Sequence, residues 1–305
     1  MGIGNENLDL ILELKSRNLF ENYESVLDFG DQSFFNTTNV LKKFINKYKI
    51  NLSEKDRETI ESLEAKTDNK NILLSSSFLW SVLLSLKKFA RLDMHFSPRL
   101  NEDHLSVEKI IHDLNNDFEK ITSNKFDIVT DFGNNEHVFN VDKTFKAMHF
   151  FCKKNGLIWI QQNIYKTNGF YNLTEDFFEN LAAYNNYEII FSSLVFHFID
   201  GKYISTDVNM DLINKINFNL IRDIEIIYIF KKTNDDNFKI PYQKINLGKQ
   251  TPVFSTNLLK KNYPFERHYV LQNFDFLKTS FLLKEIFKRI FIKLTLVIKK
   301  LRKKI

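Results

Sequence analysis

The chain has 305 residues, of which 43% are apolar, enough to fill the core of one large domain without disulfide or metal staples. Its single cysteine, Cys152, cannot form an intramolecular disulfide, and no Cys/His cluster has zinc-ligand spacing, so we expect no metal site. The formal net charge of +5 is mild, and residues Met1 to Lys15 lack the cationic segment of a signal peptide, so we expect a cytoplasmic protein.

The patterning of the chain divides it into successive parts. We predict an N-terminal helix within 1–24, an α/β domain over 25–232 with a helical insertion near 49–88, an extended arm or loop over 233–280, and a basic amphipathic helix over 281–305. The most apolar early stretch, Ile72 to Leu86, is shorter than the about 20 residues that a membrane crossing needs. It also contains several serines, so we interpret it as a buried helix.

Short apolar runs alternate with amphipathic helical stretches over 25–232, which is typical of βαβ units around a mostly parallel, doubly wound sheet. Seven strands are predicted, at Ser25–Phe29, Phe89–Asp93, Lys109–Asp113, Phe126–Asp131, Leu157–Gln162, Glu188–Phe196 and Ile224–Phe230. Helices are predicted at Thr38–Tyr48, Ser53–Lys66, Ser75–Lys88, Val141–Lys154 and Glu175–Tyr184, with a short one at Asp211–Asn217. Ser53 and Asp56 form a plausible capping box.

Ligands of an open parallel sheet bind beyond the carboxyl ends of its strands, so the residues that close each strand are the candidates for a site. The first strand leads into Asp28, Gly30 and Gln32, and Gly30 permits a tight turn with close backbone approach to a cofactor. A glycine after a strand is also a common turn residue, so this pattern alone is weak. The second strand ends at Asp93, where an acid can accept both hydroxyls of a ribose.

The third and fourth strands also end in polar residues. Asp113, Leu114 and Asn115 close the third, and an acid followed by an amide there suits an adenine edge, or equally caps the next helix. The fourth ends at Asp131, and the loop after it carries Asn135, Glu136 and His137. His137 is a candidate general base because imidazole titrates near neutral pH. Alternatively, Glu136 and His137 merely open the following helix, where the dipole favours an acid.

The acidic strand ends, the segment FDIVTDFGNNEHVFN (126–140) and the segment KNGLIWIQQ (154–162) together resemble class I S-adenosylmethionine-dependent methyltransferases over roughly residues 24–232. More narrowly, EHVFN (136–140), GFYN (169–172), FFENLAAYNNYEI (177–189) and IYIFKKTNDDNFKIPYQ (227–243) resemble bacterial methyltransferase-like proteins of surface-glycan gene clusters. The resemblance implies a Rossmann-like seven-stranded fold.

The resemblance also implies roles for the strand-end residues. S-adenosylmethionine would be held by Asp28, Gly30 and Gln32, by Asp93 at the ribose, by Asp113, Leu114 and Asn115 near the adenine, and by Asp131. His137 and Glu136 would be catalytic, and Asn135, Tyr171 and Asn172 would line the pocket for a small acceptor.

The sequence departs from the pattern of that family in three places. Gly30 stands alone where two or three glycines are usual, and Asn168 stands where the narrower pattern often has histidine. Asp93 is also much farther along the chain than the about 20 residues that separate the first strand from the ribose acid in a simple βαβ unit.

The last 25 residues form a helical pattern of their own. Apolar residues recur every three or four positions, while the opposite side is basic: Lys284, Lys288, Arg289, Lys293, Lys299, Lys300, Arg302, Lys303 and Lys304. This pattern suits an anionic membrane surface on the inner face of the membrane. The alternative is that the stripe packs on the domain or on a second copy, which is compatible with a homo-oligomer. Nothing in the chain resembles a nucleic-acid-binding module.

Two functions are therefore expected. The first is a methyltransferase acting on a small acceptor, with a sugar intermediate of a surface polysaccharide as the substrate that the gene-cluster resemblance implies. The alternative is a non-catalytic methyltransferase-like binding or scaffold protein at the membrane surface. A nicotinamide-dependent oxidoreductase is disfavoured because no G-x-G-x-x-G follows the first strand.

Overall fold

The computed structural model describes most of the first 242 residues and a short segment beyond them. The described ranges are 2–34, 38–67, 73–97, 100–101, 105–119, 121, 123–165, 169–208, 212–213, 216–242 and 253–254. The predicted basic helix over 281–305 and most of the predicted arm over 233–280 lie outside these ranges. Part of the short helix predicted at Asp211–Asn217 does so too.

Strands and helices alternate along most of the described chain. The strands are β1 (Gly2–Ile3), β2 (Ser25–Phe29), β3 (Ser33–Phe34), β4 (Leu73–Ser75), β5 (Lys88–Asp93), β6 (Leu100–Asn101), β7 (Val107–Ile111), β8 (Phe126–Phe132), β9 (Cys152–Tyr165), β10 (Tyr187–Phe198), β11 (Tyr203–Thr206), β12 (Ile221–Lys232) and β13 (Val253–Phe254). The helices are α1 (Asn5–Ser16), α2 (Thr38–Lys47), α3 (Glu54–Thr67), α4 (Ser76–Leu84), α5 (Val141–Phe151) and α6 (Glu175–Asn185).

The main sheet has the order β11-β10-β12-β9-β8-β2-β5-β7, and β13 pairs with β10. Its centre is parallel, because β2 pairs in parallel with both β5 and β8, β5 with β7, and β8 with β9. β12 runs antiparallel between β9 and β10. The predicted α/β class with a mostly parallel sheet is confirmed.

All seven predicted strands are present in this sheet, with differences at their ends. The third is two residues earlier than predicted, at Val107–Ile111, so Asp113 follows the strand and does not close it. The strands on the antiparallel side are longer than predicted, because β9 already begins at Cys152 and β12 at Ile221. The helix predicted to continue to Lys154 therefore ends at Phe151.

A second, smaller sheet was not predicted. It has the order β1-β3-β4-β6, built from strands of two or three residues that carry no periodic signal. Within it the chain's first strand, Gly2–Ile3, pairs in parallel with Ser33–Phe34. The small sheet therefore brings the N-terminal segment beside the chain that leaves the main sheet after β2.

Helix boundaries follow ordinary capping chemistry. The backbone amide of Asp56 donates to Ser53 Oγ at 3.1 Å, so Ser53 caps the helix as predicted. The Asp56 carboxylate accepts from the Ser53 hydroxyl at 2.6 Å instead of from the Ser53 backbone amide, as a complete capping box would require. α4 begins one residue later than predicted, after Ser75, whose hydroxyl accepts from the amide of Phe78. It ends early at Ser85, which takes a left-handed conformation with φ 58°.

Both faces of the main sheet are covered by buried apolar residues. One face packs on α1 and α4, with Trp80 of α4 against Trp159 of β9 at 6.2 Å between ring centroids. The other face packs on α5 and α6, as in the stacking of Phe178 on Tyr228 at 4.8 Å. In the described part of the chain, no helix has both the length and the apolar content for a membrane crossing.

Candidate functional site

The winding of the sheet reverses at β2. From β2 the chain adds β5 and β7 on one side and then β8 and β9 on the other, so the carboxyl ends of β2 and β8 form the switch point where open α/β sheets hold ligands. Gly30 lies there with φ +87°, and its amide donates to the carbonyl of Leu92 at 2.8 Å. A Cβ at Gly30 would approach the side chain of Asn134 to 3.3 Å. Both the backbone and the neighbour therefore require glycine at this turn.

The side chain of Asp28 does not point toward the Gly30 turn. Its carboxylate is fully buried on the α4 side, where it accepts hydrogen bonds from Ser76, Trp80 Nε1 at 3.1 Å, and Thr130. Burial raises its pKa, against the opposing effect of these hydrogen bonds. Asp28 thus anchors α4 to the sheet, and its contact with a cofactor stays a prediction. Gln32, also predicted as a contact, is likewise buried, and its Nε2 donates to the carbonyl of Phe29 at 3.0 Å.

Asp93 lies beside the Gly30 turn. Its Oδ2 accepts from the amide of Asp31 at 2.6 Å, and its Oδ1 from the amide of His95 at 3.2 Å. A carboxylate offers about four acceptor positions, so each oxygen can take a further hydrogen bond from a ligand hydroxyl. The side chain is only partly buried, which leaves it accessible. These properties fit a ribose diol.

The loop after β7 continues this edge. The amide of His112 donates to the carbonyl of Asp93 at 3.0 Å, which places Asp113 next to the end of β5. Asp113 Oδ1 accepts from the amide of Asn115 at 2.9 Å and from its Nδ2 at 2.8 Å, and the former hydrogen bond is the main cause of a lowered pKa for Asp113. Asn115 in turn accepts from the amide of Asn140 at 2.9 Å. Leu114 packs into the core, so only its backbone is available to a ligand.

Asp131 closes β8 but is fully buried. Its Oδ1 accepts from the amide of Asn134 at 2.7 Å, and its Oδ2 from the amide of Asn135 at 3.1 Å. Burial raises the pKa of Asp131 to about 7. Asp131 therefore shapes the loop after β8, and its contact with a cofactor stays a prediction. The Asn135 side chain is also buried, with Nδ2 3.6 Å from the sulfur of Met148, and its place in an acceptor pocket stays a prediction.

Glu136 and His137 lie in a short 3₁₀ helix, Asn135–His137, that follows β8. Glu136 is buried, and its Oε2 accepts from the amide of Asn163 at 3.1 Å. The other carboxylate oxygen lies 3.6 Å from His137 Nε2, and the His137 side chain is 40% exposed. Partial burial lowers the pKa of His137, so its imidazole is neutral at neutral pH. The structure thus brings the two predicted catalytic residues together, with only the histidine reachable from solvent.

The loop at 169–172 packs on this pair. The amide of Phe170 donates to the carbonyl of Glu136 at 2.6 Å, and a Cβ at Gly169 would clash with that carbonyl at 2.6 Å. Tyr171 Oη donates to the carbonyl of Phe139 at 2.7 Å, and Asn172 is exposed. Gly169 and Phe170 were not predicted as site residues. The glycine directly before an aromatic residue in GFYN could have indicated a close backbone contact there.

A second polar cluster was missed by the sequence analysis. Glu6 of α1, His197 of β10 and Glu225 of β12 meet on the α1 face of the sheet, with His197 Nε2 2.8 Å from Glu225 Oε2. Burial, then the charge of Glu225, raises the pKa of Glu6 to about 7. Burial alone would lower the pKa of His197, but the hydrogen bond to Glu225 and the surrounding acids raise it to about 9. In the sequence, His197 and Glu225 stand out as ionisable residues within strongly apolar strands, and this was the signal that could have found them.

Neither protein-family models nor curated protein sequences match the chain. Similar solved structures include a proposed methyltransferase from Bacillus halodurans C-125, with a TM-score of 0.39 and 12% identity over 73% of this chain and 99% of that chain. The N-methyltransferase NodS from Bradyrhizobium japonicum WM9, in complex with S-adenosyl-L-homocysteine, has a TM-score of 0.35 and 9% identity over 75% and 86% of the two chains. An S-adenosylmethionine-dependent methyltransferase from Clostridium acetobutylicum ATCC 824 has a TM-score of 0.31 and 12% identity over 74% and 90%. These scores are low, so the fold assignment rests on the strand order itself.

Proposed function

We propose that the chain is an S-adenosylmethionine-dependent methyltransferase acting on a small acceptor. The observation that carries the proposal is the group of residues at the switch point of the sheet. There the Gly30 turn, with φ +87°, lies between the accessible carboxylate of Asp93 and the loop that bears His137. The groups that we assign to adenosine binding and to proton removal therefore flank one turn, at the edge where this class of sheet binds ligands.

The adenosine half of the site is formed by the ends of β5 and β7. Asp93 accepts the ribose hydroxyls, and Asp113 with Asn115 offers hydrogen-bonding groups to the adenine edge. Asp113 is ionised at neutral pH, because its pKa is lowered by the hydrogen bonds from Asn115. When bound, S-adenosylmethionine supplies an electrophilic methyl group on a positively charged sulfur. No covalent nucleophile of the protein is needed for such a transfer, so alignment of the acceptor is the main requirement.

His137 is the residue we assign to proton removal. An acceptor hydroxyl or amine loses a proton as it gains a methyl group, and a neutral imidazole within hydrogen-bond reach takes up that proton. The nearby Glu136 carboxylate, 3.6 Å from Nε2, stabilises the imidazolium that forms. Because Glu136 is held by the amide of Asn163 at 3.1 Å, it acts as a positioning residue and has no contact with the acceptor.

The finer parts of the proposal concern the acceptor and the location. A sugar intermediate of a surface polysaccharide is the acceptor implied by the sequence resemblance, and Tyr171 and Asn172 lie on the loop that faces it. The basic stripe of 281–305 would hold the protein on the cytoplasmic side of an anionic membrane. Both the sugar acceptor and the membrane location are inferred from sequence patterns.

One observation favours the alternative of a non-catalytic binding or scaffold protein. After Gly30 the chain does not continue directly into a helix but forms β3, which pairs with the N-terminal strand β1. The carboxylate of Asp28 is wholly engaged within the core. The turn that normally cradles the methionine part of the cofactor is therefore rebuilt in this chain.

Calorimetric titration of the full chain with S-adenosylmethionine and S-adenosylhomocysteine separates the two functions. We expect binding of both compounds by the wild type and weaker binding by Gly30→Ala. The matched control is Gly201→Ala, since Gly201 has a similar φ of +83° but a Cβ at that position would meet no atom within 4 Å. A folded wild-type chain that binds neither compound would exclude the methyltransferase and leave the scaffold.

A further inference from the structure

A buried polar cluster lies apart from the Gly30 turn, on the face of the sheet that α1 covers. Glu6 comes from the first turn of α1, His197 from β10 and Glu225 from β12. One side-chain oxygen or nitrogen from each of the three residues lies within 4.8 Å of the others. Glu6 and His197 are each only 6% exposed. Residues from three distant parts of the chain thus converge at one point inside the protein.

Gln161 of β9 adds an independent observation. It is 4% exposed, and its Nε2 donates to Glu225 Oε2 at 2.5 Å. Its carboxamide is also close enough to Glu6 to lower the pKa of that carboxyl group. Its Oε1 is buried and has no hydrogen-bond partner among the described residues. A buried acceptor without a donor is costly, and here the acceptor belongs to an amide that is bonded to a carboxylate of the cluster. A hydrogen-bond donor or a cation would satisfy this oxygen.

The charges of the cluster lead to the same conclusion. Two carboxylates share one imidazole. A third carboxylate, Asp223, lies 3.7 Å from His197 Nε2, but it pairs with Arg222 at 2.7 Å, so Glu6 and Glu225 are the charges left to balance. Buried charges are stable only when they are paired or coordinate a metal. A divalent cation balances Glu6 and Glu225 with His197 in its neutral, ligating form.

We propose that Glu6, His197 and Glu225, beside the buried carboxamide of Gln161, bind a divalent first-row transition metal. Imidazole combined with carboxylate and carbonyl oxygen suits Mn²⁺, Fe²⁺ or Zn²⁺, whereas Mg²⁺ and Ca²⁺ prefer oxygen alone. Bonds of about 2.0–2.2 Å place opposite ligand atoms up to about 4.4 Å apart. The observed spread of 4.8 Å therefore requires only small side-chain movements.

The site has a route for metal entry and a structural consequence. The side chains of Asp223 and Glu225 are 19% and 21% exposed, so the cluster opens toward solvent at the start of β12. A bound metal joins the N-terminal helix to three strands of the sheet. Because an unfolded chain lacks a preformed site, metal binding stabilises the folded protein and secures α1 against the sheet.

The experiment uses the full chain, stripped with a chelator and titrated with Mn²⁺ or Zn²⁺ alone. We expect about one equivalent to bind, a higher melting temperature, and a Mn²⁺ electron-spin-resonance signal showing coupling to an imidazole nitrogen. His197→Gln should abolish the nitrogen coupling, and Glu6→Gln and Glu225→Gln should each weaken binding at least about tenfold.

The matched control is Glu13→Gln, which alters another glutamate of α1 that pairs with Arg17 at 2.5 Å outside the cluster. It should bind metal like the wild type. If a ligand variant does not fold, the titration and spin-resonance spectrum of the wild type still decide. A wild type that binds neither ion, or binds without nitrogen coupling, means that the cluster is only a hydrogen-bonded ion group. The result does not depend on S-adenosylmethionine binding, so it is separate from the proposed function.

Discussion

The backbone amide of Asp31 donates a 2.6 Å hydrogen bond to Oδ2 of Asp93, which ties the turn after β2 to the end of β5. Asp31 also pairs with Arg91, whose guanidinium lies over the ring of Phe96 at 5.4 Å. The proposed ribose acid therefore has two tasks, since it shapes the glycine turn and presents its remaining acceptor positions to a ligand.

This double role predicts the behaviour of Asp93→Asn. The amide retains one acceptor oxygen but loses the charge and the second acceptor, and hydrogen bonds to charged groups contribute about 1.5–3 kcal/mol. S-adenosylmethionine binding should weaken by about tenfold or more, measured by calorimetry. Asp117→Asn is the control, because Asp117 is exposed and pairs only with Lys143 at 3.1 Å among the described contacts. Equal affinity in Asp93→Asn and wild type would remove Asp93 from the site.

Asp28→Ala should mainly lower the stability of the fold, whereas Asp113→Ala should mainly weaken cofactor binding. Asp28→Ala leaves the buried donors of Ser76, Trp80 and Thr130 without their acceptor, so we expect a loss of about 3 kcal/mol or more in the free energy of unfolding. Asp113→Ala alters a half-buried carboxylate that bonds only to the neighbouring Asn115, so it should cost less stability than Asp28→Ala while it weakens cofactor binding. Urea unfolding and calorimetry on the same preparations test both halves. The assignment fails if the two variants behave alike.

His137→Ala should retain cofactor binding and lose methyl transfer. General-base catalysis typically contributes about 10²–10⁴-fold, so kcat should fall within that range while the dissociation constant for S-adenosylmethionine is unchanged. Because the pKa of His137 is lowered, wild-type activity should rise with pH and reach its plateau below the ordinary histidine range. Full activity in the variant would assign proton removal to another group or to water.

We expect the free energy of unfolding to depend on pH through the buried carboxyl group of Asp131. Its pKa is raised from 3.8 to about 7 in the folded chain, so between these values the folded state binds more protons than the unfolded state. Its contribution to stability is complete below about pH 4 and falls as the pH rises to 7. Urea unfolding from pH 5 to 8 should therefore show Asp131→Asn gaining stability relative to wild type as the pH increases.

The control for this series is Asp127→Asn. Burial would raise the pKa of Asp127, but hydrogen bonds from Lys153 at 2.8 Å and from Ser25 outweigh burial and lower it. Because its pKa is lowered, Asp127 contributes the same stability at every pH above about 4 and loses that contribution only in acid. The free energy of unfolding of Asp127→Asn should therefore differ from that of wild type by a constant amount between pH 5 and 8. Parallel curves for both variants would contradict the raised pKa of Asp131.

The basic segment predicts salt-dependent membrane binding. Each Lys or Arg near an anionic surface contributes about 1 kcal/mol, so the nine cations of 281–305 should hold the full chain on anionic vesicles at low salt. A chain ending at Leu277 should remain soluble, bind cofactor like the full chain and fail to co-sediment. Added salt should release the full chain because it screens the attraction. Unfolding of the truncated chain would instead indicate that the stripe is core or interface.

The sequence alone located most strands of the main sheet, but not their order. Period-two and continuous apolar runs place β2, β5, β8, β9, β10 and β12 at nearly the observed positions, because a strand covered on both faces must be apolar along its length. Gly30 was also identified from the chain, since few residues other than glycine accept its positive φ. Short strands such as β1 and β3 were missed, because two residues carry no periodicity and form only where partners from elsewhere supply hydrogen bonds.

Only the tertiary structure decided which polar residues are available to a ligand. Asp28 and Asp93 look alike in sequence, each an acid at the end of a strand, yet the first faces Ser76 and Trp80 while the second remains accessible. Successive strand residues point to opposite faces, and what covers each face comes from helices distant in the chain. The meeting of Glu6, His197 and Glu225 has the same cause, because pairing across β9, β12 and β10 and the docking of α1 bring together residues that no local spacing relates.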